Sequence, residues 1–196
     1  MKTGLLVGLT VILSFASGTQ ADERVEPPMC RYGSPDPHAP PELSQFAFLV
    51  GDFRIRLHAW QGDHWSPPVP DKTARWNGWY GLGGMAIYDE WFNPDLAQSR
   101  DGNRGINVRM YDPAENIWKM MWIATSKKEV SDLRAQVQNG TLTMWQVYPP
   151  RPNFKAIFNI HDDDRWERIS FTQNASGRWV KQYKLAATRI PCKRSN

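Results

Sequence analysis

WYGLGGMAIYDEW, residues 79–91, places three glycines within four positions between two aromatic runs. A phosphate-cradling loop would need a strand before Gly81 and a helix after Gly84, so that the helix N-terminus faces the anion. Met85-Ala86-Ile87-Tyr88-Asp89-Glu90-Trp91-Phe92 follows instead, rich in strand formers, with no N-cap, no helical period and no Gly-Lys-Ser/Thr. The glycines therefore read as a hairpin connector, with Gly83-Gly84 as a two-residue turn and Gly81 relieving crowding beside it.

Working outward, the chain after Gly51 keeps alternating. Phe53, Ile55, Leu57 and Ala59 interleave with Arg54, Arg56, His58 and Trp60, the period-two pattern of a strand with one dry face. Further strands are expected at about 72–82, 85–93, 105–111, 117–125, 130–138, 141–148, 154–161, 165–173 and 178–190, making ten with the first. Asp112-Pro113-Ala114-Glu115-Asn116, Asn139-Gly140, Asp162-Asp163-Asp164 and Asn174-Ala175-Ser176-Gly177 separate them with turn chemistry. No helical pattern intervenes to make parallel crossovers. The expected fold is an all-β, ten-stranded antiparallel up-and-down barrel, in which closure removes exposed edges. A two-sheet sandwich is the alternative. Pro41 to Val50 reads as a short helix with Pro at its start and Gly51 at its end.

The first residues, MKTGLLVGLTVILSFASGTQA, have the layout of a secretory signal peptide over 1–21: Lys2, then an apolar run, then small and polar residues. Residues 22–41 form a proline-dense arm, and 42–192 the barrel domain. The expected location is periplasmic or secreted. In an oxidising compartment the two cysteines, Cys30 and Cys192, are expected to pair, tying the arm to the end of the last strand. The net charge of +4 is mild, the basic residues are spread along the chain, and no nucleic-acid footprint emerges. Ten tryptophans point to packed barrel walls, a ligand cavity or both.

Leu49-Val50-Gly51-Asp52-Phe53, the Leu82-Gly83-Gly84 hairpin leading to Tyr88-Asp89-Glu90-Trp91, and GINVRMYDPAENIWKMMWI (residues 105–123) together resemble the bacterial proteins of domain-of-unknown-function family 1579. The resemblance covers roughly residues 41–190. It implies a calycin-like barrel, related in architecture to lipocalins, fatty-acid-binding proteins and nitrobindins, and a small apolar ligand inside it. The family brings no catalytic residues to transfer. The proximal histidine that a nitrobindin-like haem site needs is missing from Tyr183–Arg189, so no cofactor is expected.

The hairpin around the glycines sorts its residues onto two sides. Arg75, Asn77, Trp79, Tyr88 and Glu90 share a mixed side, whereas Trp76, Tyr80, Ile87 and Trp91 share an apolar one, with Gly78 opposite Asp89. Facing inward, the mixed side together with Asn107 and Arg109 would bind an amphipathic molecule, Arg109 taking a carboxylate in a forked contact. The alternative puts the mixed side in solvent and the apolar side in the core. In 117–125, Trp118, Met120, Trp122 and Ala124 oppose Ile117, Lys119, Met121 and Ile123; both faces are apolar enough to suggest an outer cover from the helix or the arm.

His38, His58, His64 and His161 have no metal-site spacing, and the Asp162–Asp164 triplet lacks the spaced oxygens of a calcium loop, so no metal is expected. No nucleophile elbow or reactive Cys/His pair stands out. The reading is an exported barrel that binds a small hydrophobic or amphipathic molecule. The alternatives are a lyase, isomerase or cyclase using the cavity, with Glu90, Arg109 and Tyr88 gathered there, or a non-catalytic cell-envelope interaction module.

Overall fold

The computed structural model describes residues 30–69, 73–92, 104–125 and 128–192. The expected signal peptide, residues 1–21, and the first part of the arm lie outside the described residues. Ten antiparallel strands close into one barrel. They are β1 (Gly51–Ala59), β2 (Thr73–Gly81), β3 (Ala86–Phe92), β4 (Arg104–Asp112), β5 (Ile117–Ala124), β6 (Glu129–Gln138), β7 (Thr141–Tyr148), β8 (Phe154–Asp162), β9 (Arg165–Gln173) and β10 (Trp179–Arg189). Each pairs with its neighbour in sequence, and β1 pairs with β10 to close the wall. The closed wall leaves no described strand as an unpaired edge.

Strand alternation sends one residue in two into the barrel. Phe53 and Ile55, Ala74 and Trp76, Trp118 and Met120, Ala156 and Phe158, and Leu185 and Ala187 form the inner layer, buried as one continuous cluster. One end is plugged. A 3-10 helix, Pro41–Leu49, buries Leu43, Phe46 and Leu49 there. The Phe46 ring meets Trp118 and Phe158 edge-on, Phe48 meets Phe158 and Trp166, and Trp118 Nε1 donates to Gln45 Oε1 at 2.9 Å. The helix therefore closes an end. It does not cover the outer face of β5, where Met121 and Ile123 stay exposed, and the expected outer cover is absent there.

The glycine stretch differs from expectation in one detail. Leu82–Gly84 make a 3-10 turn, and the connection is four residues long, with Gly81 opposite Ala86 as the last pair. The register is the one a two-residue turn implies: Asn77 opposes Glu90 and Trp79 opposes Tyr88. A Cβ on Gly81 would lie 2.6 Å from the Tyr88 ring, so its side chain is excluded by packing. Gly84, at φ +94°, lets the arm in: a Cβ there would fall 2.4 Å from the Asp36 nitrogen, which donates to the Gly84 carbonyl at 3.1 Å.

The arm runs along the outside of β2, where the Tyr80 N–H donates to the Tyr32 carbonyl. Cys30 and Cys192 form the disulfide, 162 residues apart in sequence, which fastens the arm to the chain leaving β10. Beneath it, buried Asp52 accepts from the Tyr32 hydroxyl at 2.6 Å and from the Cys30 N–H at 3.2 Å. Burial first, then the Asp52 carboxylate, raises the Tyr32 phenol to about 12.

Candidate functional site

Between the plug and the opposite end lies a cavity of ≈330 Å³. Its walls are the inward residues of β1–β10, with Trp76, Trp91, Trp122, Phe154 and Phe158 as the large apolar surfaces. The C-terminal ends of β1, β3, β5, β7 and β9 point this way, and the mouth lies among them; Glu129, Gln146 and Arg151 line the cavity from strand ends and a loop on that side.

The floor is charged. Arg109 and Asp89 form an ion pair with 1% and 0% exposure. Asn107 Nδ2 donates to the other carboxylate oxygen of Asp89 at 3.2 Å. The register explains the meeting: Asp89 opposes Asn107, and Ile87 opposes Arg109, so all three inward side chains sit on the β3–β4 ladder. The Arg109 guanidinium also lies 5.2 Å from the Phe46 ring and 5.7 Å from the Trp76 ring, where ring quadrupoles attract a cation. Burial, and then the nearby charge of Arg168, lower Arg109 to about 9, which leaves it a cation at neutral pH.

Arg168, on β9, is the second guanidinium in the cavity and donates to the Tyr183 hydroxyl at 3.0 Å. No carboxylate pairs with it among the described residues. The cavity thus holds two guanidiniums against one deep carboxylate, with Glu129 and Arg151 nearer the mouth. Trp76 Nε1, Arg109 Nε and Arg168 Nε are buried N–H donors with no protein acceptor; the Asn107 Oδ1 acceptor and the Ser170 hydroxyl are buried without a partner too. Donors outnumber acceptors, which suits an oxygen-rich group.

Of the residues singled out from sequence, Asn107 and Arg109 line the cavity. Arg75, Asn77, Trp79, Tyr88 and Glu90 lie on the opposite strand face from Trp76, Asp89 and Trp91, outside the barrel. Glu90 therefore does not meet Arg109; it lies 3.9 Å from Arg104 on the outer wall. Burial raises the Glu90 carboxyl, and Arg104 opposes that rise. Asn77 is buried outside, as the register partner of Asp52. Sequence reasoning missed Asp89 and Arg168. Asp89 was visible as the one carboxylate on the apolar side of the hairpin, and Arg168 as the cation between Trp166 and Ser170.

Among the described residues, the single cluster with metal-ligand chemistry is Cys30, Asp52 and Cys192, and both of its sulfurs are held in the disulfide. No described helix is long and apolar enough to cross a membrane.

A solved structure, the S-type phycobiliprotein lyase CPES from Guillardia theta, is similar to this chain with a TM-score of 0.43 and 14% sequence identity, over 76% of this chain and 93% of that chain. No family model and no curated protein matches the chain.

Proposed function

We propose that this protein is an exported binding barrel for a small amphipathic molecule whose anionic, oxygen-bearing head enters the cavity first. The observation that carries the reading is Arg168, a cation with no carboxylate partner among the described residues, in a ≈330 Å³ chamber walled by Trp76, Trp91, Trp122, Phe154 and Phe158. A cavity built only as core would not hold a second guanidinium without a carboxylate, because burying an unpaired charge is costly. An anionic head at Arg168 and the Tyr183 hydroxyl would offset that cost, while a tail lies against Trp91, Trp122 and Phe154. The volume fits the lower range of small-molecule sites. Export rests on the leader-like residues 1–21, and the disulfide is compatible with it. The family 1579 resemblance is part of the same proposal; its motifs fall at the start of β1 beside the plug, at the turn after β2 and on β4–β5.

The test compares a medium-chain carboxylate with its methyl ester by calorimetry. Hydrogen bonds to a charged group contribute about 1.5–3 kcal/mol, so the acid should bind roughly ten- to a hundredfold tighter. Arg168→Leu should erase that difference. Equal binding of acid and ester to the unmodified protein would sink the proposal.

A further inference from the structure

We infer that one sector of the barrel's open end, on the outer wall where β8, β9, β10 and β1 meet, docks on an anionic lipid surface. Its side chains come from neighbouring strands in register: Lys155 opposes Phe171, and Phe171 opposes Lys181. Lys155 Nζ lies 4.6 Å from the Trp179 ring centre and 5.6 Å from that of Phe171. Lys181 Nζ lies 4.3 Å from the Trp60 ring, which is packed edge-on against Trp65. At the rim, Arg151 in the loop after β7 sits over the inward Phe154 ring at 4.5 Å, and exposed Arg178 precedes β10.

These four cations have no carboxylate partner among the described residues. At the plugged end the pattern is reversed: Arg165 pairs with Asp162, Lys119 with Asp112 and Glu115, and Arg189 with Asp164. Two carboxylates lie near the sector. Glu167 is engaged by Lys184 at 2.6 Å, and Asp63 is exposed beside His64 in the loop after β1. The rings add a second kind of complementarity. Tryptophan prefers the boundary between headgroups and acyl chains, and lysines near an anionic bilayer each strengthen binding through its negative surface potential. Such docking would turn the mouth of the cavity toward the lipid. A nucleic acid would also attract four cations, but it favours a longer basic track than this sector provides.

The full chain, freed of its leader, is sedimented with vesicles of phosphatidylglycerol mixed with phosphatidylcholine, and with vesicles of phosphatidylcholine alone. Binding is expected only to the anionic vesicles and is expected to weaken steeply with added salt. At about fivefold per lysine, the double substitution Lys155→Gln with Lys181→Gln should weaken it roughly 30-fold. A control at the plugged end, Lys119→Gln with Arg165→Gln, should retain it. Salt dependence of the unmodified protein serves as the second measurement if the sector variant unfolds. Equal binding to both vesicle types, no binding to either, equal loss in the control, or tighter capture by a single-stranded oligonucleotide would overturn the assignment. Carboxylate binding in the cavity is measured separately, so failure here leaves that reading intact.

Discussion

Replacing Arg109 with Met removes the cation from a pair whose members are 1% and 0% exposed. Asp89 then keeps one protein donor, Asn107 Nδ2 at 3.2 Å, and faces an apolar wall. Removing one member of a buried pair typically costs about 3–5 kcal/mol, because the other charge is left uncompensated. The loss of repulsion between Arg109 and Arg168 works against this, which favours the lower end of the range. For a domain of this size each kcal/mol moves Tm by about 2–4 °C, so a drop of roughly 6–15 °C is expected. Asp89→Asn should cost a comparable amount, since it strands Arg109 beside Arg168. The double variant is the decisive one: with both charges gone, it should be more stable than the sum of the singles by about 2–3 kcal/mol. Thermal unfolding followed by circular dichroism reads all four proteins. If Arg109→Met shifts Tm by less than about 2 °C, or if the two costs simply add, the pair is not the electrostatic unit described.

Reduction of Cys30–Cys192, which closes a loop across 162 positions, should lower stability by about 5 kcal/mol in the chain-entropy model. Calorimetry with and without reductant checks this, and a shift under a few degrees would mean that the arm is held by its other contacts. Gly81→Val should cost about 1–3 kcal/mol, because its Cβ would meet the Tyr88 ring, and pairing it with Tyr88→Ala should recover much of the loss. Glu90 has a folded-state pKa above its unfolded value, so the folded form holds the proton more tightly. Its contribution is present at low pH and is lost as pH rises past the ordinary glutamate range. Glu90→Gln should therefore flatten the decline of stability there, as read from urea midpoints measured at several pH values.

The strands were legible in the sequence because turn residues and period-two alternation report the same boundaries independently. The register of β2 against β3 was legible too, although the connector is longer than expected: adding one residue to each side of a symmetric turn leaves every later pair unchanged. The arm was not legible as a structural element. Its order comes from distant partners, Asp52, Gly84 and Tyr80, and local pattern does not report such partners. The helix carried its proline start in plain view, but its destination depended on which end of a barrel needed filling.

The facing of the hairpin was the step that polarity could not decide, and the reason is physical. Polarity sorting assumes a dry inside and a wet outside. Here the inside carries Arg109, Asp89, Asn107 and Arg168, and the outside leaves Met110, Met121, Ile123 and Val130 exposed. Both faces are therefore mixed. On β3 and β4, what separates them is whether the carboxylate has a buried partner on the same face. Asp89 opposes Asn107 in register, and Arg109 sits two residues further along the same inward row. Glu90 opposes Ile106, and its nearest cation, Arg104, lies at the strand end. On β3 and β4, then, the buried complementary pair marks the lumen where mean polarity does not. The pairing has a consequence for binding: Arg168 is the inward cation that lacks such a match. If the lumen is selected for charge balance, its counter-ion lies beyond the described residues, and whether a bound anion takes that place is what the comparison of acid with ester measures.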